Sequence, residues 1–120
     1  YLTYSGGSAG GYTYVIGLLT AKRGTDLLNP NNWVKNNAPA ASYYSIPDEY
    51  GPGHNAFYTD EFGNLMISYH AQETMESHLR CTGIHRVHFN IDGDPVFDLS
   101  AERDLNKNLS CVKMRVTVSQ

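Results

Sequence analysis

At 120 residues, with nine Lys and Arg against twelve Asp and Glu, the chain has one domain's length and a net charge of −3. That balance lacks the basic footprint of a nucleic-acid binder, and no apolar run approaches the roughly 18–20 residues of a membrane helix. Nine Tyr, four Phe, one Trp and eleven Gly point instead to strands and tight turns, the flat tyrosine ring also suiting sugar surfaces.

Residues 1–5 alternate large and small, as a strand does, and residues 6–11 are a glycine-rich turn. Residues 12–22 have helical length, but Gly17 and the Tyr, Thr, Val and Ile around it predict a strand. Residues 24–47 read as a long loop. Leu27 and Leu28 are its expected anchor, Asn29-Pro30-Asn31-Asn32 its turn, and Trp33 its core plug. Residues 54–60 and 65–71 form a hairpin through Glu61-Phe62-Gly63-Asn64. A second hairpin pairs residues 82–90 with 95–99 across Asp92-Gly93. There Ile84, Val87 and Phe89 fall out of alternation with His85, Arg86 and His88, which requires a slip or bulge near Arg86. Residues 100–108 predict one short helical turn, and 112–118 a closing strand. About seven strands and no convincing helix make the class all-β, whether sandwich, barrel or radially arranged blades.

Few patterns carry chemistry. The histidines lack zinc-site spacing, and no phosphate loop, dinucleotide fingerprint or nucleophile elbow is present. Cys81 and Cys111 are too few for a disulfide scaffold and are expected as unpaired, buried thiols. The acidic pairs Asp48/Glu49, Asp60/Glu61, Glu73/Glu76 and Asp92/Asp94 read as solvated turn residues, none of them a buried general acid. Gly51-Pro52-Gly53 stands apart. It forces a sharp bend that makes His54 the first side chain of an apolar strand, rigidly placed to face a shared site.

The run Gly51-Pro52-Gly53-His54-Asn55-Ala56-Phe57, then Asp60 to Leu65 and Tyr69-His70-Ala71, resembles the last part of glycoside hydrolase family 43. The likeness continues through Arg80 to Val87, Asp92-Gly93-Asp94-Pro95-Val96, Tyr1-Leu2-Thr3-Tyr4-Ser5-Gly6-Gly7 and Leu27 to Lys35. It covers nearly the whole chain to about Leu99. The resemblance implies an all-β fold, the C-terminal part (about two blades) of a five-bladed β-propeller, with residues 1–120 a fragment of one catalytic domain. It implies a glycosidase that cleaves arabinose- or xylose-containing plant glycans with inversion. His54 is then the residue facing a calcium or similar ion in the central channel, and Arg80 the substrate-binding residue. No catalytic residue falls in the chain, because the family's base, acid and helper carboxylates belong upstream of Tyr1. The chain by itself is therefore expected to be inactive. Its open sheet edges imply self-association or union with N-terminal blades; neither nucleic acid nor membrane is expected as a partner. The alternative is a non-catalytic carbohydrate-binding or assembly module built from half a propeller.

Overall fold

The computed structural model describes residues 1–97 and 114–118. The first sheet holds β1 (Leu2–Gly6), β2 (Val15–Ala21) and β3 (Trp33–Lys35) in that order. The second holds β4 (Tyr50–Thr59), β5 (Leu65–Gln72) and β6 (Arg80–Arg86). A short ribbon pairs β7 (His88–Phe89) with β8 (Pro95–Val96). All pairings are antiparallel, and a 3-10 turn at Pro30–Asn32 is the only helical element among the described residues.

β1 and β2 pair without a break from Leu2↔Leu19 to Gly6↔Val15. The turn between them uses Gly7 at φ +84°, a left-handed conformation that favours glycine. Opposite Tyr4 stands Gly17, and the tyrosine ring fills the space a side chain would take: a Cβ there would lie 2.3 Å from it.

The long loop contains a strand that its composition does not announce. Asn29 caps the 3-10 turn by accepting from the Asn31 amide, and the Trp33 indole N–H donates to the Leu27 carbonyl at 2.9 Å. These bonds deliver Trp33–Lys35 to the edge of β2, where three residues are too few to show a period. Trp33 is only half-buried and lies outside the core, so it fastens the loop through its indole bond and is not the core plug expected of it. Leu27 and Leu28 are exposed, so the tryptophan bond, not those leucines, anchors the loop. Further on, Ala41 bridges to Ile16, and both are fully buried.

β4 begins at Tyr50, four residues before the strand start expected at His54. Its register with β5 breaks twice, between Tyr50 and Gly53 and between Gly53 and Ala56. Gly51 (φ +63°) and His54 (φ +54°) both take left-handed backbone, and Pro52 between them has no amide to donate. The Gly-Pro-Gly run is therefore the bulged inner part of a strand, not a bend outside one.

β5 and β6 pair in unbroken register from Met66↔Arg86 to Gln72↔Arg80. The expected second hairpin is thus divided: β6 joins β5, and only β7 and β8 close across Asn90–Asp94. The division falls at Val87, beside Arg86, where the pattern demands a slip. Val87 is itself buried and its amide donates to the Leu65 carbonyl. Met114–Val118 is without regular structure, with Met114, Val116 and Val118 exposed, so the closing strand is absent from its described part. The expected helical turn at 100–108, residues 112–113 and Cys111 lie outside the described residues.

Ile16 and Leu18 of β2, Ile67, Tyr69 and Ala71 of β5, and the later Val87 and Phe97 supply the core. The two larger sheets meet through β1 and β4. Asn55 donates its amide to Thr3 Oγ1 at 2.9 Å, and the His54 backbone N–H donates to Ser5 Oγ at 2.8 Å.

Candidate functional site

Three connections gather at the end of the molecule where β4 begins: the β1–β2 turn, the β3–β4 connection and the β5–β6 connection. Gly51 shows how closely they pack. A Cβ on it would lie 2.6 Å from the Gly11 carbonyl oxygen and 3.2 Å from Tyr12 Cα. Gly53 is as crowded, for the Tyr14 ring lies where its Cβ would stand, at 2.1 Å. Both glycines are needed for close approach, the first also for its φ.

Arg80, at the start of β6, joins these parts. Its Nη1 donates to the Ala9 carbonyl at 2.8 Å, and its Nη2 to the carbonyls of Gly51 at 2.8 Å and His70 at 2.6 Å. The guanidinium also stands 5.1 Å from the Tyr14 ring centroid, a cation–π distance. One planar fork thus fixes the β1–β2 turn, the bulge of β4 and the middle of β5. Gln72, fully buried, supports the same corner by donating to the carbonyls of Gly10 and Ser77.

His54 stands on the neighbouring part of β4. Its side chain is exposed, and its ring meets His70 edge-on with centroids 5.4 Å apart. His70 therefore links the two site residues read from the sequence, touching His54 through its ring and Arg80 through its carbonyl. Calcium takes roughly six to eight oxygen ligands. No group of three or more His, Cys, Asp or Glu among the described residues is placed to hold a metal. His54 alone is not a calcium site, and an ion in front of it would take its oxygen ligands from water or from residues outside this set.

The acidic residues are largely committed to structure. Asp60 accepts from the amides of Phe62 and Asn64 and from the Asn64 side chain. The Asn64 side-chain bond, with those amides and Arg86, holds its carboxyl below the ordinary range. Such a group stays ionised and is unsuited to protonating a leaving group. Asp94 accepts from the Tyr1 hydroxyl at 2.7 Å. Glu73 accepts from the Cys81 thiol at 3.2 Å, a bond that pushes the thiol up. Cys81 is exposed, contrary to the buried thiol expected of it: near the start of the β6 strand, its side chain turns to the Glu73 carboxylate rather than into the core.

Glu49 departs most from the solvated reading. It is half-buried, accepts from the Tyr69 hydroxyl, and lies 3.6 Å from His85 Nε2. Tyr69 is buried and stacks on His85 at 20°. Burial first, and Glu49 second, push its phenol far above the ordinary range. The ring fits because Gly83 lies opposite: a Cβ there would stand 2.5 Å from it. The only sequence sign of this cluster is a tyrosine facing a glycine across a ladder, which needs the register to be seen.

The glycosyl hydrolases family 43 profile matches residues 1–95. An extracellular exo-α-(1→5)-L-arabinofuranosidase of Streptomyces avermitilis is 34% identical over 107 residues, 82% of this chain and 22% of that protein. An α-L-arabinofuranosidase 43 of Humicola insolens is 33% identical over the same shares. The chain thus spans 22% of the length of these curated relatives. The crystal structure of an α-L-arabinofuranosidase from Lactobacillus brevis superimposes with a TM-score of 0.71 and 32% identity, covering 88% of this chain and 34% of that one. A family match of that extent includes the bulged strand, His54 and Arg80 together, and the chain belongs to glycosyl hydrolase family 43.

Proposed function

We propose that the complete protein is an inverting glycosidase acting on arabinose- or xylose-containing plant glycans, with this chain forming about two blades of a five-bladed propeller. The family match over residues 1–95 carries the reading. The similarity to proteins named as arabinofuranosidases makes an arabinofuranosyl bond the first substrate to try. Inversion uses a base that activates water and an acid that protonates the leaving oxygen, the two carboxyls roughly 6.5–9.5 Å apart. The family resemblance assigns the acid and base outside this chain, and within it Glu49, Asp60, Glu73 and Asp94 each hold a structural hydrogen bond. The isolated chain should then turn over no aryl arabinofuranoside or xyloside. Turnover abolished by replacing one of its own acids would refute that assignment.

Arg80 is proposed as the substrate contact. A guanidinium has five N–H donors, and the three carbonyls use three, leaving two to reach a sugar hydroxyl. His54 is proposed to face an ion, calcium being the candidate, through its water shell; its exposed ring is open to such water. The test is the complete protein assayed on 4-nitrophenyl α-L-arabinofuranoside and β-D-xyloside, with NMR of the released anomer. Inverted sugar from either is the expected result; hydrolysis of neither, or retention, overturns the reading. Arg80→Ala should weaken transition-state binding by roughly 2–4 kcal/mol, with Lys rescuing only in part. His54→Ala should lower activity and bound calcium together; unchanged kinetics and ion content would remove it from the site.

A further inference from the structure

The end of the molecule that carries Gly51 and Arg80 also presents an aromatic cluster. Tyr12, whose backbone packs on Gly51, meets the Tyr43 ring edge-on at 5.4 Å. Tyr43 in turn lies against Tyr44, with centroids 4.0 Å apart and planes 36° apart. Tyr12 and Tyr44 are exposed, Tyr44 to 83%. An aromatic ring left that far in water forgoes most of its burial free energy, although buried positions lie close by on both sides. Ala41 and Ile46, which flank the segment, are both in the core.

The segment is held firmly in this pose. The Ser42 amide donates to Ser45 Oγ at 2.8 Å, the Ser45 amide returns to the Ser42 carbonyl at 2.9 Å, and Ala41 is bridged to β2. Hydrogen bonding to Tyr44 pushes the Tyr43 phenol above its ordinary range. An exposed tyrosine ring backed by two others, at the end of the molecule that also carries a guanidinium, is chemistry that recognises the apolar face of a sugar ring and the hydroxyls at its rim.

We propose that Tyr44, backed by Tyr43 and Tyr12, is a stacking platform for a sugar residue of the glycan chain beyond the one held at Arg80. The inference rests on the glycosidase reading and adds to it a determinant of chain-length preference. A substrate with several sugars reaches the platform, whereas an aryl glycoside with one sugar does not.

The complete protein is assayed on α-1,5-arabinopentaose and on 4-nitrophenyl α-L-arabinofuranoside, as wild type, Tyr44→Ala and Tyr44→Phe. Tyr44→Ala should raise KM for the pentaose about fivefold more than KM for the aryl glycoside, with kcat moving less than KM. Tyr44→Phe keeps the ring and should restore most of the pentaose KM. Equal KM changes on the two substrates, or none, overturn the platform. So does a fall in melting temperature with no substrate split, which would show the ring covered by another part of the protein. Wild-type protein that cleaves the aryl glycoside but gains nothing from added sugars refutes the platform alone. Wild-type protein that cleaves neither substrate refutes the glycosidase reading itself.

Discussion

The two larger sheets solve one packing problem alike and another differently. Each sets a tyrosine ring over a cross-strand glycine, Tyr4 over Gly17 in the first and Tyr69 over Gly83 in the second. Each thereby fills a gap in the pleated face with aromatic surface. They part at the strand that faces the neighbouring sheet. β1 runs against β2 without a break, whereas β4 breaks register twice in its first seven residues and spends two left-handed conformations there. The regular ladder carries no candidate site residue. The broken one carries His54 and receives Arg80. A strand in perfect alternation can aim side chains only up or down, and bulges aim them elsewhere.

The largest test of this contrast compares two glycines. Gly51→Ala puts a Cβ 2.6 Å from the Gly11 carbonyl, a backbone atom, and forces alanine into φ +63°. The left-handed backbone and the overpacking together should cost about 3 kcal/mol. Gly17→Ala meets only the Tyr4 ring, which can swing outward, and its backbone is ordinary. About 1 kcal/mol is expected there, a mild overpacking cost. Denaturant midpoints of the two variants measure the difference. Equal losses would mean that the bulge in β4 is no more constrained than the ladder in β2.

A smaller effect separates the two tyrosines. Tyr4 lies under Lys35, with the ammonium 5.7 Å from its ring, while Tyr69 is buried and donates to Glu49. Tyr69→Phe keeps the ring over Gly83 but leaves Glu49 without that donor, at a cost of roughly 1–2 kcal/mol. The linkage with pH has a definite sign. The Tyr69 phenol is raised, so the folded state keeps a proton that the unfolded state releases near the ordinary tyrosine value of about 10. Its contribution is complete below that pH and fades as pH rises beyond it. Melting temperature followed from pH 8 upward should fall less steeply in Tyr69→Phe than in wild type. Parallel curves would remove Tyr69 from the alkaline dependence.

What the sequence discloses follows the range over which each signal acts. The hairpin of β4 and β5, the glycine turn after β1 and the slip beside Arg86 are local, and local residues announce them. β3 is three residues brought to its edge by the Asn29 cap and the Trp33 indole, so no period marks it. The start of β4 is hidden for another reason. Gly-Pro-Gly has the composition of a turn, and only the packing of Tyr14 and Gly11 against it shows why a strand contains it. His54 and Arg80 stand out through a family motif, yet that motif gives no hint that three carbonyls share the Arg80 fork. Glu49 is legible only through the register that brings Tyr69 and His85 to it.

The finest contrast lies in two turns of the same design. After β4, Asp60 Oδ1 accepts from the amides two and four residues on, those of Phe62 and Asn64. Before β8, Asn90 Oδ1 accepts from the corresponding amides of Asp92 and Asp94. Electrostatics explains the exchange of acid for amide. Asp60 has Arg86 near it, which helps hold its carboxyl low, whereas a carboxylate at position 90 would join those of Asp92 and Asp94 in one turn. Asp60→Asn should therefore preserve the turn near neutral pH and remove part of the acid sensitivity. With the folded pKa below the unfolded one, the Asp60 contribution is complete above about pH 4 and lost as pH falls through the folded value. Asn90→Asp should act oppositely, lowering the melting temperature near neutrality by like-charge repulsion and recovering as the turn's carboxyls protonate. Melting curves between pH 3 and pH 7 read both. If the two variants show the same pH dependence, the choice of acid or amide at these turns owes nothing to the neighbouring charges.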